Sequence, residues 1–275
     1  MLCHDIPYSD WIIMRGNGES RKYDVVDYSV HLKQQKMKCF FYPNDPCGHT
    51  INNIIGRLKW TITKDIKEAD IYFWWKFTHG HEELPEILKD KVCINSFCDN
   101  TLKTEVERRF VEAFGVSTFI DPLTYIGRAV RKSDKNATHD GKIIECPISE
   151  VEDGFIYQRF LGYMDDIINL RVPVICGEVP YVSIQHKNHL FHGAIHGGVD
   201  WCEIKEPSEV FSDEWLANLK SFSEGYIDIA EIDVIDGFII DVNNTPSTAA
   251  HFEDEDRDYC RDKYADLVLK HYGEV

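Results

Sequence analysis

Two short strands that meet at Asp236 and Gly237 constrain this chain more than any other part of it. They lie in the stretch IDIAEIDVIDGFIIDVNNTPS, residues 227–247, and an Asp-Gly pair between alternating apolar residues is a strong hairpin signal. Alternate residues of a strand share one face, so each strand places two polar side chains together. Those side chains are Glu231 and Asp233 on the first strand, and Asp241 and Asn243 on the second.

The register of this hairpin decides whether its acids can meet. A simple two-residue turn at Asp236 and Gly237 would place Asp233 and Asp241 on opposite faces, because a shift of one residue reverses every side chain. A three-residue loop with Gly237 in the left-handed conformation and a bulge would bring both acids to one face. We predict the second arrangement, with Gly237 at positive φ and the two carboxylates within reach of one pair of cations.

Carboxylates inside a core sheet require a compensating cation, because a buried unpaired charge is costly. Hard oxygen ligands at alternate strand positions suit Mg²⁺ that also binds nucleotide phosphates. The pattern therefore indicates a metal and nucleotide site. A sheet with one solvated face has the same spacing, so the spacing alone leaves both interpretations open.

Upstream of the hairpin, residues 1–118 show the alternation of strands and helices that is typical of an α/β fold. Apolar runs of strand length occur at residues 10–14, 38–42, 71–75 and 93–97. A helix is predicted over residues 101–114, where apolar side chains recur at helical spacing and Gly115 follows at the C-cap position.

The chain becomes strand-rich from residue 125 to residue 185, which predicts a largely antiparallel second subdomain. Ser212 or Asp213 is expected to cap a later helix that stops at Gly225, before the hairpin and a terminal helix. The predicted fold class is α/β, with α+β parts. We expect an N-terminal α/β subdomain at 1–118, a central antiparallel subdomain at 119–190 and a C-terminal metal-binding subdomain at 191–275.

Composition excludes some classes of partner and contains no signal for an oligomeric state. The 275 residues include 30 Lys and Arg against 47 Asp and Glu, a formal net charge of −17, so we expect neither nucleic acid nor an anionic membrane as a partner. The apolar run near the N-terminus is too short for a signal peptide or a membrane span. The nine cysteines form no CxxC pair, which favours reduced thiols and a cytoplasmic location.

The hairpin resembles the signature of the ATP-grasp family, an aspartate on one strand followed across a hairpin by Glu-x-Asn and a proline. Asp233, Asp241, Asn243 and Pro246 match that signature in order, although Asp241 stands where the family usually has Glu. The resemblance covers residues 94–250. It implies subdomains that clasp ATP, with Asp233, Asp241 and Asn243 as ligands of two Mg²⁺ ions.

Two upstream stretches are similar to the family's nucleotide-binding segments. Residues 154–162, GFIYQRFLG, resemble the strand and hinge that hold adenine, and residues 129–144 resemble a lysine-bearing strand followed by a mobile loop over the triphosphate. The resemblance implies seven nucleotide-binding residues. They are Lys132, Ser133, Gly141, Gln158, Arg159, Phe160 and Leu161.

A third stretch, residues 169–187, looks like the family's D-x-R strand followed by a strand that ends in basic residues, with Asn169 in place of the acid. It implies that Arg171 and Lys187 are catalytic and that His186 contacts the substrate. His196 is a further candidate substrate contact. Lys103, near a helix start, would approach the phosphates. Solvated surface positions are the alternatives for Arg171 and Lys103.

The resemblance implies an ATP-dependent enzyme that activates a carboxylate as an acyl phosphate and joins it to an amine or similar nucleophile. The expected partner is a small-molecule carboxylate or similar acceptor. Two alternatives stay open. One is a small-molecule kinase, because the same metal site serves a hydroxyl acceptor. The other is a non-catalytic nucleotide-binding protein, which the replacement of Glu by Asp241 motivates.

Overall fold

The computed structural model describes residues 36–46, 50–76, 80–162, 167–187, 201–246 and 254–273, apart from the side chains of four residues at segment ends, which are Ile167, Lys187, Trp201 and Asp254. Its strands form three sheets. The strand predicted at 10–14 lies outside the described residues. Within them, no helix is long and apolar enough to cross a membrane.

The first sheet is parallel and comes from the N-terminal region. Its strands are β1 (Lys38–Pro43), β2 (Thr61–Ile62), β3 (Ile71–Trp75) and β4 (Cys93–Ile94), in the order β2-β1-β3-β4. Helix α1 (Thr50–Arg57) buries three isoleucines against it. The strand predicted at 93–97 ends at Ile94, because Asn95 turns the chain with a φ of 64°. The predicted α/β alternation is confirmed here.

Helix α2 (Lys103–Phe114) leads from this region into the second sheet. Gly115 ends the helix at a φ of 75°, the left-handed C-cap that glycine adopts without strain. The second sheet is antiparallel and contains β5 (Gly127–Ser133), β6 (Lys142–Cys146) and β7 (Phe155–Arg159) in the order β6-β5-β7. The predicted helix and the predicted antiparallel strands of this region are confirmed.

The third sheet has five antiparallel strands in the order β10-β9-β8-β11-β12. Its strands are β8 (Ile167–Ile175), β9 (Val182–Lys187), β10 (Trp201–Lys205), β11 (Ile229–Ile235) and β12 (Phe238–Asn243). The sequence analysis assigned β8 and β9 to the central subdomain, and this assignment is wrong. Both strands pair into the C-terminal sheet, where β8 lies directly beside β11.

The helices cover one face of this five-stranded sheet and one of its ends. Helices α2 and α4 (Asp213–Ser223) pack their apolar residues on the face that carries Val172, Ile232 and Val234. Ser212 caps α4 by accepting a hydrogen bond from the Trp215 amide, and the short helix α3 (Pro207–Val210) precedes it. Helix α5 (Asp254–Tyr272) packs with α1 and the parallel sheet. The opposite face of the five-stranded sheet is polar around Arg171 and Asp233 and apolar at Ile175 and Ile229, which belong to the cluster of α5.

Candidate nucleotide and metal site

The β11–β12 hairpin brings its acids together by a route that the sequence analysis did not foresee. Asp236 and Gly237 form a two-residue turn, with φ values of 50° and 79°, and Val234 pairs with Ile239. A bulge then shifts the register by one residue, so that Asp233 lies directly opposite Asp241. The predicted positive φ of Gly237 and the shared face of the acids are confirmed. The predicted three-residue loop is wrong.

The extra residue of this bulge is Ile240, since Val234 and Asp233 are adjacent while their partners are Ile239 and Asp241. A bulge bends its strand and redirects a side chain. Here Ile240 turns toward the second sheet and lines a pocket there. The turn itself is held from both sides, because Trp215 Nε1 donates to the Gly237 carbonyl at 2.9 Å and the Gly162 amide donates to Asp236 Oδ2 at 2.6 Å.

The bulge completes a row of polar residues across four strands. Ser183 on β9 lies opposite Arg171 on β8, which lies opposite Asp233 on β11, which lies opposite Asp241 on β12. Directly opposed residues of neighbouring antiparallel strands have Cβ atoms about 4.5–5.5 Å apart. Neighbouring positions of the same face are polar as well. They are Asn169, Gln185, Glu231 and Asn243.

Arg171 is bound to acids on this face. Its Nη1 donates to Glu231 Oε1 at 2.7 Å, and its Nε lies 3.3 Å from Asp233 Oδ1. Burial alone would lower the pKa of Arg171, but the carboxylates of Asp233, Glu231 and Asp241 raise it above its usual value. Arg171 is therefore part of the polar face and not a solvated strand residue.

The negative charge of the acids on this face is only partly balanced by the cationic side chains of the protein. Burial raises the pKa of Glu231 to about 7, against the opposing effect of Arg171. Burial likewise raises the pKa of Asp241 to about 6, although Lys103 and Lys132 act in the opposite direction. Such shifts mark carboxylates whose charge is costly without a further cation.

The donor set fits Mg²⁺, which prefers hard oxygen ligands and shares its coordination with phosphate oxygens. Asp233 and Asp241 oppose each other, and Asn243 follows on the face of Asp241. Among the residues that the structure describes, no three His, Cys, Asp or Glu side chains are grouped as a metal site. The predicted set contributes only two carboxylates, and its third member is an amide.

Two lysines approach the same face from outside the sheet. Burial lowers the pKa of Lys132 to about 8, while the charge of Asp241 opposes that effect and Lys103 adds to it. Lys103 is only 8% exposed, and its Nζ donates to the Lys135 carbonyl at 2.6 Å. The alternative of a solvated helical lysine therefore does not apply to Lys103.

The loop between β5 and β6, residues 134–141, lies against strand β12. Asn136 is buried and donates from Nδ2 to the Val242 carbonyl at 2.9 Å. Asp140 shapes the loop, since its Oδ1 accepts from the Ser133 amide and from Thr138 Oγ1, each at 3.0 Å. The predicted nucleotide residues Ser133 and Gly141 thus stand at the two ends of a loop that reaches β12.

A pocket lies between the three-stranded sheet and the bulged hairpin, and it encloses about 380 Å³ of space, including solvent at its mouth. Five of the residues predicted to bind the nucleotide line it together with the bulged isoleucine. They are Lys132, Gln158, Arg159, Phe160, Leu161 and Ile240. Sequence reasoning missed Ile240, because no local signal distinguishes a bulged residue from its neighbours in an alternating strand.

The residues of the predicted adenine hinge differ in their hydrogen bonds. Gln158 Nε2 donates to Thr118 Oγ1 at 2.6 Å, and that hydroxyl donates to the buried carboxylate of Glu107 at 2.7 Å. The amide of Phe160 donates to the Arg128 carbonyl at 3.1 Å. Within the described part of the chain, the amide of Leu161 makes no hydrogen bond. The Gln158 side chain is therefore bonded within the protein, whereas Leu161 lines the pocket and its amide has no acceptor among the described residues.

The strand register separates His186 from the other candidates. His186 pairs with Ile168 and Trp201, so it stands on the face opposite Arg171, and its Nε2 lies 3.5 Å from Glu203 Oε1. His186 as a substrate contact stays a prediction, for a residue on the other face of the sheet from Arg171. Lys187 ends β9 opposite Ile167. The side chain of Lys187, and all of His196, lie outside the described residues.

Comparison with known proteins gives the class of fold. No protein-family model matches the chain, and no curated protein matches it. Solved structures do. The D-alanine–D-alanine ligase of Bacillus anthracis in complex with ATP is 14% identical, with a TM-score of 0.52, and the match covers 85% of this chain and 96% of that one.

Two further structures are similar over comparable lengths. The ATP-grasp ligase PsnB in complex with a phosphomimetic precursor variant, Mg and ADP is 11% identical, with a TM-score of 0.55, and the match covers 86% of this chain and 99% of that one. The D-cycloserine synthetase DcsG is 10% identical, with a TM-score of 0.52 and coverage of 83% and 98%. The chain has the ATP-grasp fold, and the likeness extends beyond residues 94–250.

Proposed function

We propose that this protein is an ATP-dependent ligase that joins a carboxylate to an amine, or to a similar nucleophile, through an acyl phosphate. One observation carries the proposal. The opposed pair Asp233 and Asp241, with Arg171 beside it, shares a polar face that borders the pocket lined by Lys132 and the hinge. Phosphoryl transfer depends mainly on positioning and charge compensation, and this face offers both.

In this proposal the pocket holds the adenine ring of ATP against Ile240, with the amide of Leu161 as a donor to the base. Lys132 and Lys103 compensate the phosphate charge, and the amides of the 134–141 loop cradle phosphate oxygens. Asp233, Asp241 and Asn243 would hold Mg²⁺, two ions in the full site, and the metal would neutralise charge on the phosphates. The similar PsnB structure contains Mg and ADP, which supports this ligand class.

Arg171 stabilises the negative charge that develops as the γ-phosphoryl group moves to the carboxylate. A P–O bond forms to the carboxylate oxygen, and the bond to ADP breaks. The nucleophile then attacks the carbonyl carbon, and inorganic phosphate leaves with the electron pair of the C–O bond. Lys187 and His196 stay proposed contacts near the acceptor. We retain the boundary of the N-terminal subdomain at residue 118 and the cytoplasmic location as proposals.

Incubation of the full chain with ATP, MgCl₂ and pooled metabolic carboxylates, with hydroxylamine present, tests the reaction. A ligase gives a hydroxamate from the trapped acyl phosphate, and it gives an amide when an amine replaces hydroxylamine. A small-molecule kinase gives a stable phosphoester instead. A non-catalytic nucleotide-binding protein gives no product, and either of the last two results contradicts the proposal.

Calorimetry of ATP binding tests the metal assignment separately. We expect ATP to bind tightly with Mg²⁺ and weakly with EDTA, because two carboxylates and an amide are too few ligands to hold Mg²⁺ without phosphate oxygens. Equal affinity under both conditions would remove Asp233, Asp241 and Asn243 as metal ligands.

A further inference from the structure

A buried carboxylate on helix α2 accepts four hydrogen bonds from one short segment. Glu107 is 7% exposed. Its Oε1 accepts from the Thr118 amide and from the Ser117 hydroxyl, each at 2.6 Å, and from the Phe119 amide at 3.1 Å. Its Oε2 accepts from the Thr118 hydroxyl at 2.7 Å. Hydrogen bonds to a carboxylate are among the strongest in proteins, so this one side chain fixes the backbone of residues 117–119.

The segment bound by this carboxylate runs beside strand β7. Phe119 and Gln158 form an antiparallel bridge, and the Arg159 amide donates to the Thr118 carbonyl at 2.9 Å. Strand β7 therefore has β5 on one side and residues 117–120 on the other. The position of β7 depends on both of these neighbours.

A network of side chains continues from this segment to the predicted adenine hinge, residues 158–161. Gln158 Nε2 donates to Thr118 Oγ1 at 2.6 Å, and the same hydroxyl donates to Glu107. All three side chains are buried. A satisfied buried network of this kind rigidifies the structure around it. Helix α2 is therefore connected to the first residue of the hinge by an unbroken chain of hydrogen bonds.

The same helix also contacts the hairpin that carries the acids. Val106 and Phe110 of α2 belong to the apolar core that contains Ile239 and Val242 of β12. Glu107 is next to Val106 in the helix and bonds to the hinge side instead. One rigid helix therefore holds both the hinge strand and strand β12, which lie on the two sides of the pocket.

We propose that Glu107 is a positioning residue, which holds the hinge in the geometry that binds adenine without touching the nucleotide. This inference rests on the proposed function, in which the pocket at the hinge holds the base of ATP. Leu161 lines that pocket and its amide has no acceptor among the described residues. The direction of that amide is set by the strand before it. A backbone held in its binding geometry in advance loses less entropy when the ligand binds.

The proposal confines the effect of Glu107 to the base end of the nucleotide. Tripolyphosphate carries three linked phosphates and no adenine, so it can use Lys132 and Mg²⁺ but not the hinge. Loss of the hinge geometry should therefore weaken the binding of MgATP and leave that of Mg-tripolyphosphate unchanged. A role in stability alone would not distinguish the two ligands.

Calorimetry of the full chain with each ligand tests this difference. In Glu107→Ala we expect the Kd of MgATP to rise at least about tenfold, as for the loss of one well-placed hydrogen bond together with ordering of the hinge. The Kd of Mg-tripolyphosphate should stay within about threefold of wild type. Glu107→Gln should restore MgATP binding to within about threefold, because its side-chain oxygen still accepts from the Thr118 and Phe119 amides.

Thr118→Val is a second variant in case Glu107→Ala does not fold. It removes the hydroxyl between Glu107 and Gln158 but keeps the backbone hydrogen bonds, and the Kd of MgATP should rise about threefold to tenfold. Glu105→Ala is the matched control on the same helix. The Glu105 carboxylate binds Arg108 and Arg109 and not the hinge segment, so both ligands should keep their affinity.

Four results would overturn the positioning role while leaving the ligase proposal intact. They are unchanged MgATP affinity in both Glu107→Ala and Thr118→Val, equal losses for the two ligands, an equal loss of MgATP affinity in Glu105→Ala, or a loss in Glu107→Gln as large as in Glu107→Ala. The last result would trace the effect to charge and not to geometry. Failure of the wild-type protein to bind MgATP would instead contradict the proposed function itself.

Discussion

Two buried asparagines in this protein differ in how many of their hydrogen bonds are satisfied. Asn95 is 1% exposed and fully bonded. Its amide donates to Asp228 Oδ2 at 2.7 Å, its Nδ2 donates to the carbonyls of Ile229 and Asn244, and its Oδ1 accepts from the Ile229 amide at 2.8 Å. Asn169 on β8 is also buried, but its Oδ1 has no partner within the described structure and its Nδ2 reaches Asp233 only at 3.4 Å.

The difference separates buried polar groups whose hydrogen bonds the fold satisfies from buried polar groups that it leaves unpaired. A fully satisfied buried network rigidifies the fold, and Asn95 joins the parallel sheet to the start of β11 in this way. The face that carries Asn169 leaves three oxygens unpaired among the described residues, which are those of Asn169, Ser183 and Glu231. Substitutions in the Asn95 junction should therefore reduce stability, and substitutions on the polar face should reduce activity.

The largest expected effect is on activity, from Asp241→Asn. The substitution removes one of two opposed carboxylates, and we expect turnover to fall by about 10³-fold or more, roughly 4 kcal/mol in transition-state stabilisation. Steady-state phosphate release measures it. Asp236→Asn is the matched control, because Asp236 lies in the turn of the same hairpin and Asn is favoured there. Turnover within tenfold of wild type in Asp241→Asn would exclude Asp241 as a metal ligand.

Arg171→Ala should lower turnover by about 10²- to 10³-fold, the cost of losing one electrostatic stabiliser of the transferring group. ATP affinity should stay nearly intact, since the effect falls on the transition state. Single-turnover kinetics together with calorimetry separate the two quantities. An equal loss of ATP affinity would make Arg171 a ground-state phosphate contact.

Asn95→Ala should cost about 3 kcal/mol in the free energy of unfolding, because several buried groups lose their partners. Part of that cost is conformational, since Asn95 has a φ of 64° and Ala is disfavoured there by about 1–2 kcal/mol. Asn95→Gly removes the same side-chain hydrogen bonds without that strain and should be less destabilising. Chemical denaturation measures both, and a cost below about 1 kcal/mol for Ala would refute the structural role of this junction.

The smallest effect is expected at Ser183, a residue that is 2% exposed and whose hydroxyl is unpaired among the described residues. Ser183→Ala should leave the stability of the ligand-free protein unchanged or slightly higher, because it removes an unsatisfied group. Ser223→Ala is the matched control, since Ser223 Oγ is equally buried but donates to the Leu219 carbonyl at 2.9 Å. That control should lose about 1 kcal/mol. Equal losses in the two variants would contradict the comparison.

Much of this arrangement follows from local signals. The alternation of polar and apolar residues predicted that Glu231 and Asp233 share one face of their strand and that Asp241 and Asn243 share one face of theirs. The Asp-Gly pair located the turn. Helical spacing closed by Gly115 located α2. Each of these signals acts over a few residues, through the pleat of a strand or the hydrogen bonds of one helical turn, so the sequence alone carries it.

Packing between residues far apart in the chain decided which of these elements pair and which side chains share a face. The acids meet because a bulge at Ile240 corrects the register of a two-residue turn, and the energy of burying Val234 and Ile239 in one core fixes where that bulge falls. Long-range strand pairing also places β8 and β9 in the C-terminal sheet and His186 on the face opposite Arg171. Strand partners far apart in the chain are chosen by the apolar area that the whole sheet buries. No window of sequence contains that quantity, so only the tertiary structure could determine which polar side chains share a face.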